Sequence, residues 1–326
     1  MVQALAWLTL CFGFLLRSDM AHAESLLPVQ FCLGQPLGMS EAGAFTALKQ
    51  RYFAEVGLAV EFTPDVDRDR LADLSNRPVG SIGVADVFDF LRARADGQRI
   101  VAFASAYSRN PIVLYVRHDS MMRSVTDIMG KSIAYDRGTP AAIVFDALLA
   151  KNNLSKSSLK LVPNAASVQA LEAGQIDVLL SEIGRESELL DQSKQAFDQL
   201  SPSSYGLHLP GTVYFTTEET LRARPDVPRR FLFALGRGWD RIYRKTSEDL
   251  AELAEAVDIN PRLASKVLDE QRPLLRPSGI RPFELDMFYM RSAASLLVQQ
   301  RLIKAAPNLA EAFDLDTVKD ASRQLW

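Results

Sequence analysis

Residues 27–62 read LPVQFCLGQPLGMSEAGAFTALKQRYFAEVGLAVEF, and this stretch decides the fold class. Leu27 to Leu33 predicts a strand, and Gly43 to Val56 predicts a helix because its apolar side chains recur at helical spacing. Gly57 marks the end of that helix, and Ala59 to Phe62 predicts a second strand. A strand, a helix and a strand in this order form a βαβ unit, which favours a parallel sheet.

The same alternation continues along the chain. A unit of strand, short helix, turn and strand occurs at positions 61–84 and again at positions 161–180. From about Pro228 the pattern becomes almost entirely helical. The sequence therefore predicts an α/β protein built from two similar lobes whose sheets are covered by helices.

Composition limits the functions that this chain can have. The 326 residues include 37 Lys or Arg and 40 Asp or Glu, which gives a net charge of −3. No basic excess is available to neutralise a phosphate backbone, so we expect no nucleic-acid partner. Three His and two Cys are too few for a typical structural zinc site, and we predict neither a metal site nor a cofactor.

The N-terminal segment, positions 1–23, predicts a signal peptide. The apolar run from Ala4 to Leu16 is too short to span a bilayer, and Ala21-His22-Ala23 follows it as a cleavage pattern. Cleavage there leaves a mature exported protein that begins near Glu24. No Lys or Arg precedes the apolar run, so an uncleaved short anchor or a core helix stays open as the alternative.

Two apparent chemical motifs fail when they are examined residue by residue. Gly130-Lys131-Ser132 resembles the end of a P-loop, but the required preceding glycine is Val125. The Asp65–Asp69 segment resembles a calcium loop, but Arg70 replaces its glycine. The chain has few histidines that would serve as a general acid or base, or activate a nucleophile. We therefore predict no catalytic residues.

Polar loops at the carboxyl ends of the predicted strands are the remaining candidates, because open α/β sheets bind ligands there. Thr139 followed by Pro140 predicts a helix start, and Ser40 is the predicted N-cap of the first helix. For any one of these residues, helix capping or loop hydrogen bonding is the structural alternative to ligand binding. The candidate ligand-binding residues are Gln35, Ser40, Glu41, Asp86, Tyr107, Ser108, Arg109, Asn110, Tyr135, Arg137, Gly138, Thr139, Glu182, Arg185 and Glu186.

Five segments, in this order, resemble periplasmic solute-binding proteins of ABC transporters, in the group that binds nitrate, sulfonates, taurine and the pyrimidine precursor of thiamine. Each motif is weak alone, and the shared order is specific for the family rather than for the ligand. The segments are RYFAEVGLAV (51–60), LRARADGQRI (91–100), DIMGKSIA (127–134), LEAGQID (171–177) and YFTTEE (214–219).

The resemblance implies an α/β, two-lobed periplasmic-binding-protein fold of type II, with two mixed sheets flanked by helices and a hinge. The first lobe would comprise positions 24–108 and 213–326, and the second lobe would comprise positions 109–212. The crossings between the lobes would lie near positions 109–112 and 209–213. Such a protein closes on a small solute and delivers it, as a monomer, to an ABC permease and ATPase.

The identity of the solute stays open between a thiamine-precursor-like pyrimidine, a sulfonate, and another small anion or heterocycle. The pyrimidine-binding branch has a Trp in the first loop, where this chain has Gly34-Gln35-Pro36-Leu37. Arg109, Arg137 and Arg185 would suit an anion. They would equally suit pairing with acidic side chains of the same loops, which are Asp86, Asp136, Glu182 and Glu186.

Two other functions remain as alternatives. An extracytoplasmic sensor module would report the ligand to a membrane kinase or cyclase. An enzyme that resembles the yeast thiamine-pyrimidine synthase would need an active-site His where this chain has Glu41, and a Cys-rich loop that the chain lacks. We therefore predict a binding protein rather than an enzyme.

Overall fold

The computed structural model of this chain describes residues 26–34, 36–64, 71, 74 and 77–325. The predicted signal peptide, Gln35 and the Asp65–Asp69 loop lie outside these residues. In the part of the chain that is described, no helix has the length and apolar character needed to cross a membrane. The described His, Cys, Asp and Glu side chains also form no cluster of three or more suited to a metal ion.

Strands and helices alternate through the first two thirds of the described chain, and helices follow. The strands are β1 (Leu27–Leu33), β2 (Leu58–Pro64), β3 (Ile82–Asp86), β4 (Ile100–Ser105), β5 (Ile112–Arg117), β6 (Ser132–Ala134), β7 (Lys160–Val162), β8 (Val178–Glu182), β9 (Phe197–Leu200) and β10 (Thr212–Thr217). The α-helices are α1 (Ala42–Lys49), α2 (Tyr52–Glu55), α3 (Val87–Ala95), α4 (Pro140–Lys151), α5 (Val168–Glu172), α6 (Ser187–Gln192), α7 (Glu218–Ala223), α8 (Asp226–Ile242), α9 (Ser247–Ala256), α10 (Pro261–Leu275), α11 (Met287–Gln299), α12 (Leu309–Ala312) and α13 (Asp316–Leu325).

The first sheet has the strand order β2-β1-β3-β10-β4. Strand β1 is parallel to β2 and β3, whereas β10 is antiparallel to β3 and β4. The register pairs Thr212, at the start of β10, with Asp86, at the end of β3. The carboxyl ends of β1, β3 and β4 therefore share one edge with the amino end of β10.

The second sheet has the order β7-β6-β8-β5-β9 and the same mixture of directions. Strand β6 is parallel to β7 and β8, and β5 is antiparallel to β8 and β9. Ile112, which begins β5, lies opposite Glu182, which ends β8. Both sheets are mixed and carry helices on their faces, so the predicted α/β fold class is confirmed, although the alternation alone favoured a mostly parallel sheet.

Two segments connect the sheets. The first joins β4 to β5, and the second joins β9 to β10. They pair with each other, because the amide of Ala106 donates to the carbonyl of Thr212 over 2.8 Å and the amide of Asn110 donates to Leu209 over 2.9 Å. Gly211 of the second segment lies directly against Tyr107 of the first. A larger residue would not fit there, since a Cβ at position 211 would lie 2.6 Å from the Cβ of Tyr107. These two segments are called the crossing ribbon below.

The first predicted helix is interrupted in the structure. A short 3-10 helix, Met39–Glu41, precedes α1, and Arg51 separates α1 from α2 with a φ of 60°. That left-handed conformation stops the hydrogen-bond ladder, so the prediction of one continuous helix from Gly43 to Val56 was wrong. Ser40 lies within the 3-10 helix and is not an N-cap.

Helix α8 fixes α1 against the first sheet. Gly43 of α1 faces the indole ring of Trp239, and a Cβ at Gly43 would lie 2.4 Å from three ring atoms. Gly238 faces α1 in the same contact, where a Cβ would lie 2.0 Å from the carbonyl oxygen of Gly43. Only glycine lets the two helices approach so closely. This packing holds the start of α1, and with it the loop before it, over the edge of β1.

Apolar side chains also connect the two sheets beside the crossing ribbon. Ile143 and Val144 of α4 belong to the same buried cluster as Phe88 of α3 and Met290 of α11. The amide side chain of Gln300 donates to the carbonyl of Ile143 over 3.0 Å. Helix α11 therefore packs against helices that cover both sheets.

Candidate ligand-binding cleft

A cleft of about 1020 Å³, including the part open to solvent, lies between the facing edges of the two sheets. Its walls come from both sides, as expected for carboxyl ends of strands that meet across a gap. The first sheet and its loops contribute Cys32, Gly34, Ser40, Glu41, Leu71, Leu74, Val84, Ala85, Asp86, Asp89, Ala106, Tyr107, Thr212, Tyr214 and Phe215. The second sheet and its loops contribute Pro140, Glu182 and Arg185.

The cleft brings together six of the predicted site residues, which come from four separate loops. They are Ser40, Glu41, Asp86, Tyr107, Glu182 and Arg185. Arg137, Gly138 and Thr139 line a neighbouring opening of about 900 Å³ that shares Leu71, Asp89 and Pro140 with the cleft. Glu186 lines a further recess of about 750 Å³ with Glu182 and Arg185.

Glu41 forms part of the cleft wall, although only 6 % of its surface is exposed. Its Oε2 atom accepts a hydrogen bond of 2.7 Å from the hydroxyl of Ser40 and one of 3.2 Å from the amide of Gly38. The 3-10 helix produces both contacts, because it folds the chain from Gly38 to Glu41 into one tight turn. Both hydrogen bonds reach the same carboxylate oxygen.

Burial raises the pKa of Glu41 from 4.5 to about 7, since desolvation disfavours the charged carboxylate. The hydrogen bonds from Ser40 and Gly38 act in the opposite direction, and the charge of Glu182 across the cleft raises the pKa further. The pKa of Glu41 therefore lies near neutral pH.

Two buried tyrosines lie near Glu41. Tyr107 of the crossing ribbon and Tyr214 of β10 each expose only 3 % of their surface. Burial raises the pKa of both phenols well above its ordinary value, and the negative charge of Glu41 adds to the shift. Both phenols therefore keep their protons and remain neutral in the cleft wall.

Glu182 and Arg185 form the polar part of the opposite wall. The Arg185 guanidinium donates to Oε1 of Glu182 over 2.7 Å, and the two side chains are 38 % and 27 % exposed, Arg185 being the more exposed. The sequence left open whether this arginine would meet an anionic ligand or an acidic neighbour. The structure pairs it with Glu182.

Helix starts position two of the predicted residues, Asp86 in the cleft and Thr139 in the neighbouring opening. Asp86 caps α3 by accepting a 2.7 Å hydrogen bond from the amide of Phe88. Thr139 caps α4 by accepting from the amide of Ala142 over 3.2 Å, and Pro140 follows it in the first turn. The N-cap predicted at Thr139 is thus confirmed.

The side chains of two predicted residues, Tyr135 and Arg109, point away from the cleft. Tyr135 donates its hydroxyl to Asp146 over 2.8 Å and accepts from Lys156, which turns its ring toward α4. The Arg109 guanidinium lies over the ring of Tyr289, 5.6 Å from its centroid. Neither side chain lines the cleft in the described structure.

The other two residues of the predicted loop at Arg109 belong to the crossing ribbon. Asn110 donates from its side chain to the carbonyl of Pro210 over 2.9 Å and accepts from the amide of Ile112 over 3.0 Å. The hydroxyl of Ser108 is buried and has no hydrogen-bond partner among the described residues. Asn110 thus connects the two segments of the ribbon through its side chain.

Sequence reasoning missed the contribution of β10. Thr212, Tyr214 and Phe215 line the cleft because β10 enters the first sheet antiparallel, with its amino end at the cleft edge. The predicted loops were taken only from carboxyl ends of strands. The sequence does mark the start of β10, because an alternating apolar segment follows Gly211. The direction in which this strand enters the sheet depends on its pairing with strands far away in the sequence.

One protein-family model covers most of the elements that build this cleft. The model, described as NMT1/THI5 like, matches residues 39–248, more than half of the chain. No curated protein matches this sequence.

Solved structures with the same fold include binding proteins and an enzyme. The periplasmic aliphatic sulphonate binding protein SsuA from Escherichia coli has a TM-score of 0.69 at 16 % identity, over 88 % of this chain and 91 % of that one. The alkanesulfonate-binding protein SsuA from Xanthomonas axonopodis pv. citri, bound to MOPS, has a TM-score of 0.67 at 20 % identity, over 89 % and 98 %. The desulfurization enzyme DSZB has a TM-score of 0.61 at 12 % identity, over 91 % and 99 %.

These likenesses agree with the resemblance found in the sequence. The fold is that of periplasmic binding proteins, and the match to the family model extends from the 3-10 helix before α1 into α9. The chain belongs to the NMT1/THI5-like family.

Proposed function

We propose that this chain is a periplasmic solute-binding protein that captures a small organic solute between two lobes and delivers it to an ABC importer. The observation that carries the proposal is the cleft, whose walls come from two sheets joined by two paired segments. The first lobe would comprise positions 24–108 and 213–326, and the second lobe would comprise positions 109–212. The solute would be a pyrimidine, a sulfonate or another small anion or heterocycle.

Closure of the lobes would complete the site. Pro140, Glu182 and Arg185 come from the second sheet, so they reach the solute only when the sheets are close together. The guanidinium of Arg92 on α3 donates to the carbonyl of Gly138 over 3.0 Å, a contact across the mouth of the cleft. A closed cleft excludes water and strengthens each polar contact with the solute.

Binding is favoured over catalysis by the contents of the cleft. Neither of the described histidines lines it, and His118 instead contacts Asp198, 3.0 Å away in the second sheet. The described cleft wall therefore offers no histidine that would act as an acid or base on a bound compound. A sensor role shares the same binding step and differs only in the membrane partner.

Thermal unfolding with a panel of solutes tests the binding step. The panel contains pyrimidines, sulfonates, taurine, nitrate, amines and aromatic acids. A solute at 100 times its Kd stabilises the folded chain by about 2.7 kcal/mol. Small-angle scattering with the same solutes reports closure as a decrease in the radius of gyration. If no member of the panel raises the unfolding temperature, the solute-binding proposal is wrong.

Uptake by cells separates transport from sensing. We expect cells without this chain to lose accumulation of the labelled solute that stabilises it, and the reintroduced chain to restore accumulation. Normal uptake together with a lost transcriptional response to that solute would support the sensor instead. Chemical conversion of the solute by the purified chain would support the enzyme.

A further inference from the structure

We propose that the contact between Gln271 and the loop at Gly184 opposes closure of the cleft and so speeds the release of a captured solute. The inference rests on the proposed solute-binding function and adds to it a residue that sets the balance between open and closed chains. Gln271 lies on α10 and does not line the cleft described above.

The contact joins the two proposed lobes. Helix α10 belongs to the core of the first sheet, because Val267 is buried in the same cluster as Phe31 of β1. The loop at Gly184 belongs to the second sheet, because it follows Glu182 at the end of β8. The loop and the helix approach so closely that a Cβ at Gly184 would lie 2.5 Å from Nε2 of Gln271. Parting of the proposed lobes would break this contact.

The amide of Gln271 gains little from the contact. Only 1 % of the surface of this residue is exposed. Its Nε2 atom lies 3.5 Å from the carbonyl oxygen of Ile183, which is longer than the usual distance between an amide nitrogen and its acceptor. Its Oε1 atom is buried and accepts no hydrogen bond from any described residue. A buried amide that is paired so poorly costs free energy relative to an amide in water.

The contact across the mouth of the cleft has the opposite character, because its polar groups are well paired. The guanidinium of Arg92 donates to the carbonyl of Gly138 over 3.0 Å. When the lobes part, both contacts break, and water reaches the amide of Gln271. Opening therefore removes a cost at Gln271, whereas it removes a favourable hydrogen bond at Arg92. A bound solute adds to the closed side of this balance.

The distance between two spin labels tests the inference in the purified chain without any solute. The labels are attached through Glu61→Cys on β2 and Lys160→Cys on β7, two exposed positions. Strands β2 and β7 are the outer strands at the ends of the two sheets that lie away from the crossing ribbon. Native Cys32 is buried. Short and long distances then report closed and open molecules.

Gln271→Met keeps the length of the side chain and removes both polar groups of the amide. We expect it to raise the ratio of closed to open molecules by roughly tenfold. Gln271→Leu is a second apolar variant and should change the ratio in the same direction. Gln299→Met is the matched control, because it replaces an exposed glutamine at the end of α11, and it should leave the ratio unchanged.

Gly184→Ala should change the ratio in the other direction, because its Cβ would press against the amide of Gln271. Gly130→Ala is the control for backbone strain. The φ of Gly130 is 78° and that of Gly184 is 93°, so both are left-handed, but a Cβ at Gly130 would meet nothing within 4 Å. Gly130→Ala should therefore leave the ratio unchanged. The unfolding temperature of each variant verifies that it is folded.

Release is measured with a solute that stabilises the chain in the thermal panel. Its dissociation from Gln271→Met, followed by stopped-flow mixing, should be slower by roughly tenfold. Equal dissociation rates, an unchanged or lower closed-to-open ratio in Gln271→Met, or a solute-free chain with closed molecules only would each overturn the inference. These results leave solute binding intact. A panel without any response overturns the proposed function, whereas the spin-label distances still test whether Gln271 opposes closure.

Discussion

The side-chain amide of Asn110 donates a 2.9 Å hydrogen bond to the carbonyl oxygen of Pro210, and this contact joins the two segments that connect the sheets. The side-chain oxygen of Asn110 also accepts from the amide of Ile112 over 3.0 Å. One side chain therefore satisfies a backbone group in the opposite segment and another at the start of β5. Its role is to hold the ribbon in register at the place where the proposed lobes would pivot.

Asn110→Ala should lower the free energy of unfolding by about 1–3 kcal/mol, because it leaves buried backbone groups without partners. Urea unfolding measures this change. Asn110→Asp keeps the acceptor for Ile112 but sets a carboxylate oxygen against the carbonyl oxygen of Pro210, so it should cost at least as much as Ala. Equal stability of the Ala variant and the unchanged chain would contradict the structural role.

Gly43 is a position where one added methyl group should lower stability strongly. Its Cβ would lie 2.4 Å from the indole of Trp239, so Gly43→Ala must separate α1 from α8. Overpacking of this kind costs about 1–3 kcal/mol. Gly38→Ala is the control, since a Cβ there meets its nearest atom at 3.7 Å. Thermal unfolding should show a large loss for the first variant and a small one for the second.

The order of strands and helices was predictable from the sequence because it depends on local patterns. Strand Leu27–Leu33 has the bounds that its sequence pattern indicated. The break at Arg51 was not predictable, since its left-handed conformation follows from the packing of α1 and α2 on α8 rather than from local preference. The direction of β10 also depends on pairing with strands that lie far away in the sequence.

The candidate site was predictable in position and less so in detail. Loops at the carboxyl ends of strands led to Glu41, Asp86 and Glu182, which the structure brings to one cleft. The same rule included Tyr135, whose ring turns toward Lys156. The rule that ligand-binding loops follow the carboxyl ends of strands locates the backbone of a site. The direction of each side chain depends on neighbours that come together only in the folded chain. The domain limits inferred from the family resemblance stay a prediction.

The protonation of Glu41 should make stability depend on pH. Burial raises the pKa of this carboxyl from 4.5 to about 7 in the folded chain. Between these values the folded state binds more protons than the unfolded state, so the free energy of unfolding falls as pH rises through this window. The full effect of this one group is roughly 3 kcal/mol, present below pH ~4.5 and lost above pH ~7.

Urea unfolding at pH 5 and pH 8 measures that contribution. Glu41→Gln cannot ionise, so its stability should decrease less between pH 5 and pH 8 than that of the unchanged chain. Glu61→Gln, which removes an exposed carboxyl, should retain the larger decrease. A Glu41→Gln chain with the same pH dependence as the unchanged one would show that this carboxyl is not the group responsible.

The Arg185–Glu182 pair gives the last prediction, because its loss should affect binding more than stability. Both side chains are partly exposed, so Arg185→Gln should change the free energy of unfolding by less than about 1 kcal/mol. Removal of the guanidinium leaves the charge of Glu182 in the cleft wall, which should raise the affinity for benzamidine, used here as a cationic aromatic probe, by about two- to tenfold. Arg230→Gln removes a comparable ion pair with Asp226 on α8 and should leave that affinity unchanged. Weaker benzamidine binding in Arg185→Gln, measured by calorimetry, would instead indicate that the arginine holds the cleft closed.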